Sequence, residues 1–310
     1  MRILTGALVA LALTLPAHAA ERVTFKSAKT GSSYYQMSVQ LAEAMPDTID
    51  MTVEESQGSV QNVMEAQVRG GDYVFTSPPA LVGAARNGAG PFADRASPKF
   101  AEVRGLFPIP SLTMHFVARA DENVASLADL EGKTVLLGKG SFGAREGEKY
   151  LTLFGLDGKV TIADAELSNA VAALKNGQID AFVTAGSFPA PNVIEAAAGT
   201  GVTVVSLSED QVGETGRARL VIPAGTYPGQ DADVVTTSLP VVAYTTTGMS
   251  DDTAYQLTKS FWEGKDRLTK AAPWWGGVTP ELLANVTGPL HPGALRYYDE
   301  AGIAVPDSAK

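Results

Sequence analysis

Extended and helical patterns alternate from about position 20 onward, and this alternation constrains the fold more than any single motif. RVTFKSA (22–28) reads as a strand, KTGSSYY (29–35) as a loop, and QMSVQLAEAM as a helix ending at Pro46. IDMTVEES is a second strand, SVQNVMEAQVRGG a helix closed by Gly70 and Gly71, and DYVFTS a third strand stopped by Pro78 and Pro79. A β-α-β-α-β succession of this kind builds a parallel sheet with helical crossovers, so the fold class is α/β.

The same logic returns later in the chain. SLADLEG is a short helix and KTVLLG a strand; GKGSFGAR leads into a helix running to Phe154, and KVTIADA follows as a strand. Next come a helix over SNAVAALKNG with Ser168 as N-cap, the strand QIDAFVTAG, a helix from Asn192 to Ala198, and the strand VTVVSL. The segment from Gly83 to Lys99 has no clear period and reads as a surface loop. VRGLFPIPSLTMHFVARAD gives two extended runs broken by Pro108 and Pro110, which suits a chain crossing between domains near Ser111. The extended IPAGTYPGQDADVVTTSLPVVAYTTT carries it back, and helices at 251–268, 280–285 and 293–300 close the sequence. The expected division is 20–111 plus 236–310 as lobe I and 112–235 as lobe II.

MRILTGALVALALTLPAHA has a short cationic start, an apolar run from Ile3 to Leu15, and Ala17-His18-Ala19 ahead of a cleavage site, the pattern of a signal peptide covering 1–19. That run is shorter than the roughly twenty residues of a membrane anchor, so the mature chain is expected in the periplasm and not inserted in the membrane. There is no cysteine, which excludes disulfides, thiolate metal sites and cysteine nucleophiles. The formal charge is −10 and becomes −11 once Arg2 leaves with the signal; an acidic chain without a basic run is a poor nucleic-acid binder.

GKGSFGAR (138–145) matches G-x-G-x-x-G between a strand and a helix, with Asp164 where a dinucleotide fold places its ribose-binding acid. The position of the loop in the second α/β unit, the export signal and Arg145 in the first helical turn all argue against NAD. A nucleophile elbow requires G-x-S-x-G, and the residue two before Ser141 is Lys139, so a serine hydrolase is a rival without its motif. No Walker loop is present, and His115 and His291 are the only histidines beyond the signal. No cofactor and no metal are expected. What survives is the physical part of the motif: glycines admit a ligand to the backbone, and N–H groups at a helix start favour an anion. Ser141 can donate a further hydrogen bond and Arg145 can clamp a carboxylate. The loops KTGSSYY, ESQGSV and FTSPPA, the last ending the third strand with Ser77, also fall at the carboxyl ends of parallel strands, where ligands bind. One of Tyr34 and Tyr35 is expected in the core and the other on the ligand, and Trp274-Trp275 reads as a packed corner.

The series TGSSYY, QGSVQNV, LFPIPSLTMHFVARAD, SLADLEGKTV, ALKNGQIDAFVTAGSFPAP, IPAGTYPGQDADV and PLHPGALRYY resembles the TAXI family of solute-binding proteins of TRAP transporters. The resemblance implies a type II periplasmic binding protein fold, with two α/β lobes, a hinge and an interlobe cleft. It implies a monomeric, non-enzymatic carrier that hands a small organic acid to TRAP membrane subunits: a dicarboxylate, an oxo-acid such as 2-oxoglutarate, or glutamate. Carried onto this chain, the binding positions are Thr30, Gly31, Ser32, Ser33, Tyr34 and Tyr35; Gly58, Ser59 and Val60; Ser77; Gly140, Ser141, Phe142, Gly143, Ala144 and Arg145; and Ala185 with Gly186. The family commonly reads G-S-G-T in the quoted loop, so Phe142 and Ala144-Arg145 depart from it. The added arginine favours a ligand with a carboxylate on the second-domain side. No acid stands out in the cleft loops to receive an amino group, which favours a dicarboxylate or oxo-acid over an amino acid. An ABC-type receptor or a sensor domain of the same fold is the alternative.

Overall fold

A computed structural model describes residues 20–310; the segment 1–19, read from the sequence as a signal peptide, lies outside the described residues. In chain order the regular elements begin β1 (Glu21–Lys26), α1 (Ser33–Ala44), β2 (Ile49–Glu54), α2 (Ser59–Glu65), β3 (Tyr73–Ser77), α3 (Pro79–Arg86) and β4 (Val103–Arg119). They continue with β5 (Thr134–Leu136), α4 (Phe142–Leu153), β6 (Thr161–Ala163), α5 (Ala170–Lys175), β7 (Ala181–Gly186), α6 (Pro191–Thr200) and β8 (Val202–Val204). The last are α7 (Glu209–Thr215), β9 (Ala218–Ile222), β10 (Val234–Thr246), α8 (Asp251–Glu263), α9 (Lys265–Ala271) and α10 (Pro292–Glu300). This is an α/β architecture.

The strands pair in the order β2-β1-β3-β10-β4-β7-β5-β6, with β9 on β10 and β8 on β4. In one half β1 runs parallel to both β2 and β3; in the other β5 runs parallel to both β6 and β7. Each trio is joined to the centre by one antiparallel strand, β10 beside β3 and β4 beside β7. The two halves therefore repeat one topology, and β4 and β10 run the length of both. Elements α8, α9 and α10 return to the first half, where Phe107 of β4 stacks on Phe261 of α8 at 4.2 Å.

Three local readings of the sequence change. Pro108 and Pro110 do not break the chain into two strands: β4 is continuous over 17 residues. Its pairing with β10 slips between Leu239 and Val241, opposite Pro110 and Ser111, and prolines are tolerated at such bulges because no ladder donor is needed there. The Gly83–Lys99 loop begins inside a helix, since α3 starts at Pro79 and runs to Arg86. Ser168 is not an N-cap: it lies in a 3-10 turn at 167–169, and α5 starts after Asn169 with no side-chain cap. Helix α7 escaped the sequence reading, although Ser208 and Gln211 form a capping box at its start.

The tryptophan pair is a packed corner. Trp275 is fully buried, and both indoles donate to Oε1 of Gln40 on α1, at 3.2 Å from Trp274 and 2.7 Å from Trp275.

Candidate functional site

The repeated topology places β1–α1 of one half and β5–α4 of the other in equivalent positions, and their connecting loops carry the same two residues. Gly31 and Gly140 have φ of +88° and +79°, a left-handed conformation that glycine adopts without a steric penalty. Ser32 and Ser141 follow as N-caps with closely matched dihedrals. The Ser32 hydroxyl accepts from the Tyr35 N–H at 3.2 Å, and the Ser141 hydroxyl accepts from the Ala144 N–H at 2.9 Å. A hydroxyl used as an acceptor keeps its own proton to donate elsewhere. The first N–H groups of α1 and α4 likewise have no intrahelical partner.

These two helix starts, one from each half, border one cavity of about 70 Å³. Its polar lining includes Ser27, Ser32, Ser59, Thr76 and Ser141. Its apolar lining includes Leu112, Leu137, Phe142, Val183 and Val241. Asn62 holds the polar end together. Its side-chain amide donates to the carbonyls of Ser27 at 2.7 Å and Thr76 at 3.1 Å, tying the ends of β1 and β3. Thr76 is 4% exposed and lines the cavity.

Two cations reach the rim. Lys29 Nζ lies 3.3 Å from Glu166 and 3.5 Å from Glu55, and Lys139 Nζ lies 2.7 Å from Asp164. Desolvation alone would lower the Lys29 ammonium, but its hydrogen bonds and attraction to Glu166 and Glu55 outweigh it, so the group sits above its ordinary value. The halves also meet where the Gln57 amide donates to Glu166 at 3.4 Å and the Ser187 N–H donates to the Ser33 hydroxyl at 3.0 Å.

Of the residues singled out in the sequence, Ser32, Tyr34, Gly58, Ser59, Ser141, Phe142, Gly143 and Ala185 line this cavity. Tyr34 rather than Tyr35 is the tyrosine that does so. Its buried hydroxyl donates to the Pro110 carbonyl at 2.9 Å, and burial pushes the phenol far above its ordinary pKa. Thr30 and Gly31 face an outer vestibule with Asn192 and Glu195. Ser33 faces Ser187, while Gly186 abuts the Ser33 hydroxyl. Tyr35 and Val60 are half-buried outside the cavity, and the buried Ser77 hydroxyl bonds the Pro78 carbonyl.

Arg145 also lies outside. It is exposed in a neighbouring groove together with Gly140, Ala144, Glu148 and Asp164. Helix α4 packs with Gly143, Ala144, Glu146, Gly147, Tyr150 and Leu151 buried, a stripe of helical period that leaves Arg145 on the other face. Asp164 is the exposed ion-pair partner of Lys139.

The sequence reading passed over Ser27, Lys29, Gln57, Thr76 and Lys139, which line the cavity as well. Ser27 and Thr76 stand at or beside the carboxyl ends of β1 and β3, so the rule that selected the loops also covers them. Neither histidine can serve as a base for Ser141. His115 Nδ1 meets the Thr113 carbonyl at 3.1 Å and its Nε2 meets the Tyr227 hydroxyl at 2.8 Å. His291 caps α10, with Nδ1 accepting from the Gly293 N–H and Nε2 against the Met249 carbonyl. Among the described residues no three His, Cys, Asp or Glu side chains gather to hold a metal, and no helix is long and apolar enough to cross a membrane.

The NMT1-like family matches residues 25–302. Among solved structures, the periplasmic binding protein BugD aligns over 92% of this chain and 99% of its own at 11% identity, with a TM-score of 0.55. MatC from Rhodopseudomonas palustris, solved with bound malate, aligns over 93% of this chain and 98% of its own at 15% identity, with a TM-score of 0.58. A protein described as a periplasmic transporter aligns over 94% of this chain and 100% of its own at 10% identity, with a TM-score of 0.57. At such identities the likeness is one of fold. With the family match spanning nearly the whole described chain, the protein belongs to the NMT1-like family and has the fold of periplasmic binding proteins.

Proposed function

We propose that this chain is the exported solute-binding component of a TRAP-type transporter, of the TAXI kind that its sequence resembles. It captures a small organic anion in the periplasm, after loss of the signal peptide, and delivers it to the membrane permease. The sequence-derived candidates are a dicarboxylate, an oxo-acid such as 2-oxoglutarate, or glutamate. In this reading 20–111 with 236–310 forms lobe I and 112–235 forms lobe II, and β4 and β10 act as the hinge. Binding draws the lobes together, and the permease recognises the closed form. The chain acts as a monomer and performs no chemistry on the ligand.

One observation carries the reading: helix starts of α1 and α4, each capped by a Gly-Ser pair, border the same cavity from opposite halves of the sheet. Donors contributed from both sides reward closure, because an anion touches both sets only when the halves are together. The malate bound to MatC supports an organic acid as the cargo of this fold.

The test is a thermal-shift screen of the mature protein against mono- and dicarboxylates, amino acids, sugars and NAD. A ligand that binds only the folded state raises the melting temperature in proportion to the logarithm of its concentration over Kd. Stabilisation by organic acids is expected; stabilisation by NAD alone overturns the proposal.

A further inference from the structure

We propose that the cavity selects a short monocarboxylate with an apolar remainder and discriminates against dicarboxylates. This rests on the organic-anion reading above and replaces its named candidates, each of which carries two carboxylates. The two cations in the lining, Lys29 and Lys139, are each paired with acids, and the other side-chain donors there are neutral. The hydroxyls of Ser32 and Ser141 each have a proton left to donate, and the N–H groups beside them are oriented by α1 and α4. Thr76, more than nine-tenths buried, lines the cavity as well and brings a hydroxyl to it. These donors satisfy one carboxylate.

A second carboxylate finds no counter-charge. Lys29 and Lys139 are the cations at the rim, and both are held by acids, Lys29 by Glu55 and Glu166 and Lys139 by Asp164. Glu55, Glu166 and Asp164 do not line the cavity, and they leave the rim with one more negative charge than positive. Arg145 is exposed in the adjoining groove and is not part of the cavity lining. The rest of the lining is apolar, including Leu112, Leu137, Phe142, Val183 and Val241, and a carboxylate against it would be desolvated without compensation. The volume of about 70 Å³ is also far below the roughly 300–1,000 Å³ of pockets that take drug-sized ligands.

The experiment is calorimetry on the purified mature protein with butanoate and 2-oxobutanoate set against succinate, malate and 2-oxoglutarate at one ionic strength. The monocarboxylates are expected to bind at least about tenfold tighter, the scale of one uncompensated charge contact. Thr76→Val, close to isosteric, is expected to weaken the monocarboxylates about tenfold. Asp164→Asn, at an exposed site, frees Lys139 and is expected to improve dicarboxylate binding several-fold while leaving butanoate unchanged. Equal or tighter binding of the dicarboxylates overturns this proposal and leaves the carrier reading standing. So does unchanged butanoate affinity in Thr76→Val. If neither class of acid binds, the organic-anion reading falls with it.

Discussion

Lys29 Nζ stands 3.3 Å from Glu166 Oε2, joining the loop after β1 in one half of the sheet to the segment after β6 in the other. The pair spans the cleft beside the cavity, and the Gln57 amide reaches the same Glu166 carboxylate. Glu166 therefore gathers contacts that exist only when the halves are together.

Glu166→Gln should make the ligand-free protein spend more time open. The side chains are partly exposed, so the pair contributes about 0.2–1 kcal/mol, a shift of up to several-fold in the open-to-closed ratio. The chain has no cysteine, so Glu43→Cys and Lys149→Cys supply a single pair of dye sites, one in each half, for single-molecule distance measurements. Longer distances are expected in Glu166→Gln, and added salt should lengthen them in the parent. Identical distance distributions in the two proteins would falsify the latch.

Arg145→Ala should leave affinity for the best acid of the thermal-shift screen within about a factor of two, since the side chain lies outside the cavity. A direct clamp on a carboxylate would instead cost about 1.5–3 kcal/mol. Titration calorimetry separates the two, and a loss on the second scale would return Arg145 to the site.

Gly143→Val should destabilise the protein by about 1–3 kcal/mol and abolish binding. A Cβ at Gly143 would come 2.9 Å from Ala185 Cβ and 3.4 Å from Ala185 N, so α4 must move off β7. A chemical-denaturation midpoint equal to that of the parent counts against this packing.

Acidification should destabilise the fold between pH 6.5 and 5, before most carboxylates titrate. Burial pushes His115 down to about 4 from its ordinary 6.5, so its imidazole stays neutral there in the folded chain and takes up a proton in the unfolded one. Stability is then complete above about pH 6.5 and is lost as pH falls toward about 4, by about 2 kcal/mol at pH 5. His291, also held below its ordinary value by burial, acts in the same direction. Denaturation curves of His115→Gln should show a flatter pH slope than the parent. An unchanged slope would mean that His115 titrates normally.

Much of this arrangement was legible in the sequence because its causes are local. A strand followed by a Gly-Ser loop and an amphipathic helix reads the same way at 22–44 and at 134–153, and such loops gather at the carboxyl ends of parallel strands. The rotation of α4 was legible too: the buried stripe from Gly143 to Leu151 has helical spacing, and Arg145 falls off it. The glycine fingerprint drew attention to loop residues and away from that stripe. Contacts between distant segments were out of reach. Nothing in the local pattern around Lys29 points to Glu166, because that meeting depends on how the two halves close, and Lys139 meets Asp164 only because β5 and β6 lie side by side within the second half.

The placement of β10 between β3 and β4 has a consequence for the order in which the molecule assembles. Thr245 of β10 bonds the carbonyl of Tyr73 at the start of β3, 172 positions earlier. A chain emerging from its N-terminus thus presents β3 and the first part of β4 with open edges until residues 234–246 have been made. The parallel trio β5-β6-β7 and its partner segment of β4 are complete before then. The second half can therefore condense first, while the first half waits for a late strand and closes a long loop, which makes its assembly the slow step. During that interval the unpaired edges of β3 and β4 are where a nascent chain is most open to wrong partners.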